Sequence, residues 1–321
     1  MAKPDTMAGY QTVQTELAER VLLEAWSLLG DYRDYLVLIG GLVPRYLCPG
    51  VLADPHCGSM DVDFGISLAV ADIHVYTSIV ASLKKMGFVP GKNERGRDRM
   101  HSFEKTIEGK LLNIDFLTVK YDGPKESLMR GVTEELRAIQ VEGLGLALNS
   151  PLSIPISGEL LSGGRVDFKF RVCRPFPFVV LKALSFENRG EGKDVYDLVY
   201  VLRHFQSSTK AVVENAVADE IREPSVRHCM EVLSSRFATL QHDGPISAAS
   251  SSFLDEAFGK LVEDYSIEFL KQHLSITNIS DHYRMILNKA IIRRNELKGQ
   301  FVEPCKTVMT KLKQGSKRSC P

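Results

Sequence analysis

No run in this 321-residue chain approaches the eighteen or so apolar residues that a membrane span needs. The start, Met1-Ala2-Lys3-Pro4-Asp5-Thr6, lacks the apolar centre of a signal peptide. The six cysteines (48, 57, 173, 229, 305 and 320) contain no C-x-x-C pair and no zinc-like spacing. Scattered thiols of this kind fit a reducing, cytoplasmic setting. Histidine is sparse, and its eight copies form no H-x-x-x-H pair. Neither a G-x-S-x-G element nor a Walker-type lysine loop is present, which argues against the corresponding hydrolase and P-loop classes. Charge of one sign is missing too, because forty Lys and Arg balance forty Asp and Glu. Composition therefore gives no sign of a strongly nucleic-acid-binding surface. The balance hides one asymmetry: residues 281–321 hold ten basic residues against three acidic ones, a local excess of seven.

What is present is ordinary globular material, 44% hydrophobic and 25% charged, in a chain long enough for two domains. The most informative stretch is Ser59-Met60-Asp61-Val62-Asp63-Phe64. On a strand, side chains alternate faces, so Asp61 and Asp63 project together while Val62 and Phe64 enter the core. Two neighbouring carboxylates repel and lose hydration unless a cation sits between them. Mg²⁺ (or Mn²⁺), bound through one or two carboxylates plus substrate phosphates, answers that need; a strand edge with solvated acids is the alternative.

Upstream, Leu36–Ile39 reads as a short buried strand ending in Gly40-Gly41, a pair that lets the backbone approach a ligand closely. Downstream, residues 100–107 and 110–119 flank Glu108-Gly109 as a hairpin. Asp115 is the only acid of the second strand, and burying it is costly unless it has a task. Helices are expected over 11–29 and about 71–86, the latter capped by Gly87. Gly91–Arg99 reads as an exposed basic loop. Further strands are expected at 152–156 and 166–172, then a helix carrying Lys182 begins at Pro175 and Pro177. The extra segment 48–57, with two prolines and a glycine, reads as a loop at the rim of any site formed here.

Strand, Gly-Gly, helix, then Asp-x-Asp and one later strand Asp resembles the nucleotidyltransferase fold of the polymerase-β superfamily. The run from Arg174 to Phe186, followed by Arg189, Gly192 and Lys193-Asp194-Val195-Tyr196-Asp197-Leu198, resembles the AbiEii-type toxins of type IV toxin–antitoxin and phage-defence systems. The resemblance implies an α+β fold: a mixed sheet flanked by helices over 1–205, a helical domain over 206–305 and a basic tail over 306–321. It implies a metal triad of Asp61, Asp63 and Asp115. It makes Gly40, Gly41, Ser59, Lys182 and Lys193 nucleotide contacts, and puts Asp194 in the active centre with Asp197 in reserve. A lysine flanked by apolar residues, as Lys182 is, often snorkels to solvent instead. Lys193 and Asp197 could also simply pair along one helix.

The activity implied is metal-dependent transfer of an NMP from an NTP to an acceptor hydroxyl. An RNA, in particular the tRNA 3′ end, is the implied acceptor, with a cognate antitoxin as a further partner. A small-molecule or protein acceptor, or a non-catalytic nucleotide-binding module, are the alternatives. His56 and His101 are expected to be structural. In the C-terminal part, 247–252 reads as a flexible link, 282–297 as a basic amphipathic helix and the tail from Lys306 as disordered.

Overall fold

The computed structural model describes residues 12–52, 55–67, 73–93, 95–120, 129–131, 137–239, 242–251, 304–308 and 310–311. It is an α+β structure built on one mixed sheet. The strands are β1 (Leu36–Ile39), β2 (Asp61–Ile66), β3 (Val89–Lys92), β4 (Asp98–Ile107), β5 (Lys110–Val119), β6 (Met129–Gly131), β7 (Arg137–Val141), β8 (Leu152–Glu159) and β9 (Arg165–Val172). Their order is β3-β4-β5-β2-β1-β9-β8. β4 pairs with the first half of β5, and β7 runs parallel to its second half along the same edge. β2 pairs antiparallel with β1 and parallel with β5.

The two faces of this sheet differ because β2 and β5 alternate. Val62, Phe64 and Ile66 with Leu112, Ile114 and Phe116 are fully buried on one face. Helix α1 (Thr12–Leu29) covers that face, with Trp26 stacked 4.5 Å from Phe170 and 6.2 Å from Phe64. Ile79, Val80 and Leu83 of α3 (Ile73–Lys85) are buried in the same core. After the short α2 (Val43–Leu47), the other face is packed by α4 (Leu144–Leu148), against which α5 (Pro175–Arg189) lies in turn. Gly65 makes room for α4, since a β-carbon there would sit 3.3 Å from both Leu144 and Leu148.

Helix α5 starts at Pro175, where a missing N–H costs nothing, and ends at Gly190 in the left-handed region (φ +69°). α6 (Gly192–His204) packs against it. α7 (Thr209–Glu214), α8 (Pro224–Arg236) and α9 (Asp243–Ser251) continue the helical layer, α8 on α5 and α9 on α6. A buried Arg174–Glu220 ion pair ties the start of α5 to the chain before α8.

Three expectations are corrected. Gly91–Arg99 is not a loop throughout: Gly91 and Lys92 end β3, Asp98 and Arg99 begin β4, and Lys92 and Arg99 are paired with Asp98 and Glu104. Residues 247–251 are not a link but the last part of α9, because their alanines and serines carry no helix breaker. The tail is ordered where it begins: residues 304–308 are helical, with Cys305 and Val308 buried. The basic helix expected at 282–297 lies outside the described residues. Among the described residues, no helix is long and apolar enough to cross a membrane.

Candidate active site

The register of two strands builds the acidic wall. Asp61 stands opposite Asn113, and Asp63 opposite Asp115. Partners in register share a face, as do residues two apart on one strand, so all three carboxylates lie on the face opposite the aromatic core. Asp61 is buried and accepts a hydrogen bond from Asn113 Nδ2 at 3.0 Å. The Ser59 hydroxyl is buried beside it, donating to the Asp61 carbonyl at 3.3 Å.

Gly40 sits against this wall at φ +74°, where a β-carbon would come 1.9 Å from Asp63 Oδ2. One at Gly41 would meet Ser59 Oγ at 2.8 Å and Lys193 Nζ at 3.6 Å. The glycine pair thus holds bare backbone against an acid, a hydroxyl and a lysine.

Helices α5 and α6 supply a cationic wall. Lys182 does not snorkel; it is 7% exposed, with Nζ 3.0 Å from Asp194 Oδ1 and 2.8 Å from Asp197 Oδ2. Arg189 forks onto Asp194 through Nε at 2.6 Å and Nη2 at 2.7 Å. Lys193 donates to Asp197 Oδ1 one helical turn away. His56 Nε2 lies 2.8 Å from the same oxygen. Three cations thus surround two fully buried carboxylates.

Burial opposes the charge on Lys182, yet Asp197 and Asp194 outweigh it and raise its pKa. Burial likewise disfavours the Asp197 anion, but Lys182, Lys193 and the His56 hydrogen bond hold it far below the usual carboxylate range. Asp194 is lowered in the same way, against burial, by Lys182 and Arg189. Arg189 is raised despite burial, chiefly by Asp194 and Glu191, and it also feels Asp63 across the cavity.

The two walls enclose one cavity of about 530 Å³. Gly40, Gly41, Ser59, Asp61, Asp63, Asp115, Lys182 and Lys193 all line it. Asp194 does not: it lies behind Lys182 and Arg189, while Asp197 reaches the lining. The acid at the cavity is therefore the one held in reserve, and Asp194 acts on the cavity only through its cations. Of the two histidines near the site, His56 is buried against Asp197. His101, on β4, has its pKa lowered by burial and by Arg99. Sequence reasoning left Arg189 and His56 out of the site, although Arg189 stands in the segment that carries Asp194. An apolar strip of Leu117, Ile139, Val141, Leu144 and Leu184 completes the lining.

Among the described residues, no three His, Cys, Asp or Glu side chains form a ready-made metal cage. Mg²⁺ does not need one, since it keeps waters and takes one or two carboxylates together with substrate phosphates. The all-oxygen donor set of Asp61, Asp63 and Asp115 fits that ion.

A STAS-like domain of unknown function (DUF4325) matches residues 243–284. None of the curated proteins matches the chain. Among the solved structures similar to it are two with a TM-score of 0.33 each. One is the antibiotic-resistance factor ANT(2'')-Ia, 13% identical over 66% of this chain and 97% of its own. The other is an antigenic nucleotidyltransferase-like protein from Paracoccidioides brasiliensis, 14% identical over 69% of this chain and 94% of its own. At that score neither fixes the fold, and the strand register and cavity geometry stand independently of both.

Proposed function

We propose that this chain is a metal-dependent nucleotidyltransferase, moving an NMP from an NTP to an acceptor hydroxyl with release of pyrophosphate. The observation that carries the reading is the β2–β5 register, which sets Asp63 beside Asp115 on the cavity face, against the bare α-carbon of Gly40. Asp61, Asp63 and Asp115 would hold Mg²⁺ or Mn²⁺. Bound there, the ion supplies charge neutralisation at the reacting phosphate.

The chain's own residues do the rest. Gly40 and Gly41 give the triphosphate close access to the backbone, with Ser59 beside them. Lys182, Lys193 and Arg189 draw the β- and γ-phosphates to the opposite wall. We assign Asp115 the proton of the attacking hydroxyl. The new bond forms between that oxygen and the α-phosphorus, the bond to pyrophosphate breaks, and the leaving anion is received by the cationic wall.

As acceptor we propose an RNA end, in keeping with the basic excess over 281–321. The tRNA 3′ end, a toxin or phage-defence role and a cognate antitoxin rest on the AbiEii resemblance alone. Transfer of label from each of the four α-³²P-NTPs, offered with Mg²⁺ to total RNA and to protein, tests this reading. Label on RNA is the expected result; label on protein moves the acceptor. NTP binding with no transfer to either acceptor would replace the enzyme by a nucleotide-binding module.

A further inference from the structure

The segment between α2 and β2 carries Pro49, Gly50 and Pro55, and its described residues form neither helix nor strand. Its far end is nevertheless docked. His56 is 8% exposed, and Gly58 N–H donates to its Nδ1 at 3.0 Å. That bond leaves the ring proton on Nε2, which donates to Asp197 Oδ1 at 2.8 Å. The ring stands edge-on to Tyr200 at 4.8 Å and 5.2 Å from Tyr196. The Tyr196 hydroxyl in turn accepts the Cys57 N–H at 3.1 Å.

Asp197 therefore gathers donors from three parts of the chain: His56 from the loop, Lys182 from α5 and Lys193 from its own helix. An i,i+4 pair such as Lys193–Asp197 is by itself a weak constraint. A third donor from outside the helix fixes the carboxylate plane. Burial and the positive charge of Lys193 hold His56 neutral, with a pKa of about 4, so it orients Asp197 without adding charge.

We infer that His56 is a positioning residue: by fixing the Asp197 carboxylate it sets where Lys193 and Lys182 present their ammonium groups to the cavity. The loop that precedes the Asp61–Asp63 strand is thereby coupled to the opposite, cationic wall. The inference rests on the nucleotidyl-transfer reading only for its choice of a phosphate ligand.

Three variants separate positioning from packing. H56F keeps an aromatic ring against Tyr196 and Tyr200 but has no donor. H56Q restores an N–H, and H56M matches the length of glutamine without one, which preserves the comparison if H56F does not fold. Crystal structures of the unliganded variants and titration with inorganic tripolyphosphate are the readouts. The expected result is a changed Asp197 and Lys193 rotamer in H56F and H56M, with tripolyphosphate bound about tenfold more weakly, and recovery of both in H56Q. Unmoved Asp197 and Lys193 in H56M, or no recovery in H56Q, would overturn the inference. If the wild type does not bind tripolyphosphate, the phosphate assignment of these lysines falls, while the rotamers still decide the role of His56.

Discussion

The Asp63 carboxylate lies against the bare α-carbon of Gly40, so close that a β-carbon there would stand 1.9 Å from Oδ2. Two constraints meet at Gly40, because its φ of +74° is also one that L side chains rarely adopt. Gly40→Ala is therefore expected to cost about 1–3 kcal/mol of stability and to push Asp63 out of its place. Urea unfolding and the label-transfer assay read the two effects. Gly41→Ala meets the Ser59 side chain, at 2.8 Å from Oγ and 3.1 Å from Cβ, with Lys193 Nζ at an ordinary 3.6 Å, and is expected to be milder in both.

Among the described residues, Lys182 is the one cation paired with both buried carboxylates. Lys182→Met leaves Asp194 to Arg189, whose side chain is 45% exposed, and Asp197 to Lys193 and His56. Removing one member of a buried charge cluster costs about 3 kcal/mol, and Asp194→Asn, which leaves Lys182 its second partner, is expected to cost less. Chemical denaturation of the two variants gives the order.

Stability should fall with acid in two stages. His56 is held at about 4 against an ordinary 6.5, so below pH 6.5 the unfolded chain takes up a proton that the folded chain refuses. That stage amounts to at most ~3 kcal/mol between pH 6.5 and 4, and His56→Gln should remove its slope. Asp197 and Asp194 are depressed, so their contribution is present above the unfolded carboxylate value, about 3.9, and is lost as pH falls further. His228, clasped between Glu142 and Glu187 and raised chiefly by its Glu142 hydrogen bond, works the other way. Its contribution is present below the unfolded histidine value and fades as pH rises through the folded one. Melting temperatures across pH 3–9 for wild type and His56→Gln check the signs.

Much of the framework was legible because alternation is strict where one sheet face is buried. Leu36–Ile39 and the β4–β5 hairpin around Glu108-Gly109 stand where the pattern puts them. Asp61, Asp63 and Asp115 share a face because period two fixes it once β2 and β5 pair. That pairing itself is long-range and parallel, and no local signal encodes its register. β3 was hidden because proline and glycine at 90 and 91 are poor strand formers, although β3 pairs with β4 through an irregularity there. The choice between Asp194 and Asp197 was equally out of reach: both lie on one helical face, and only the packing of α5 decides which reaches the cavity. The His56–Asp197 contact joins residues 141 apart, in a loop whose prolines announce only irregularity.

The most direct test of a shared acidic site is the Mg²⁺-dependent shift in melting temperature on adding an NTP, measured for wild type, Asp63→Asn and Asp115→Asn. A ligand at a hundredfold its Kd stabilises a folded protein by about 2.7 kcal/mol, which a melting curve resolves readily. The wild type is expected to show that shift only with Mg²⁺ present, and both variants to lose it. An undiminished shift in Asp115→Asn would mean that the two strands do not act on one ion and its nucleotide.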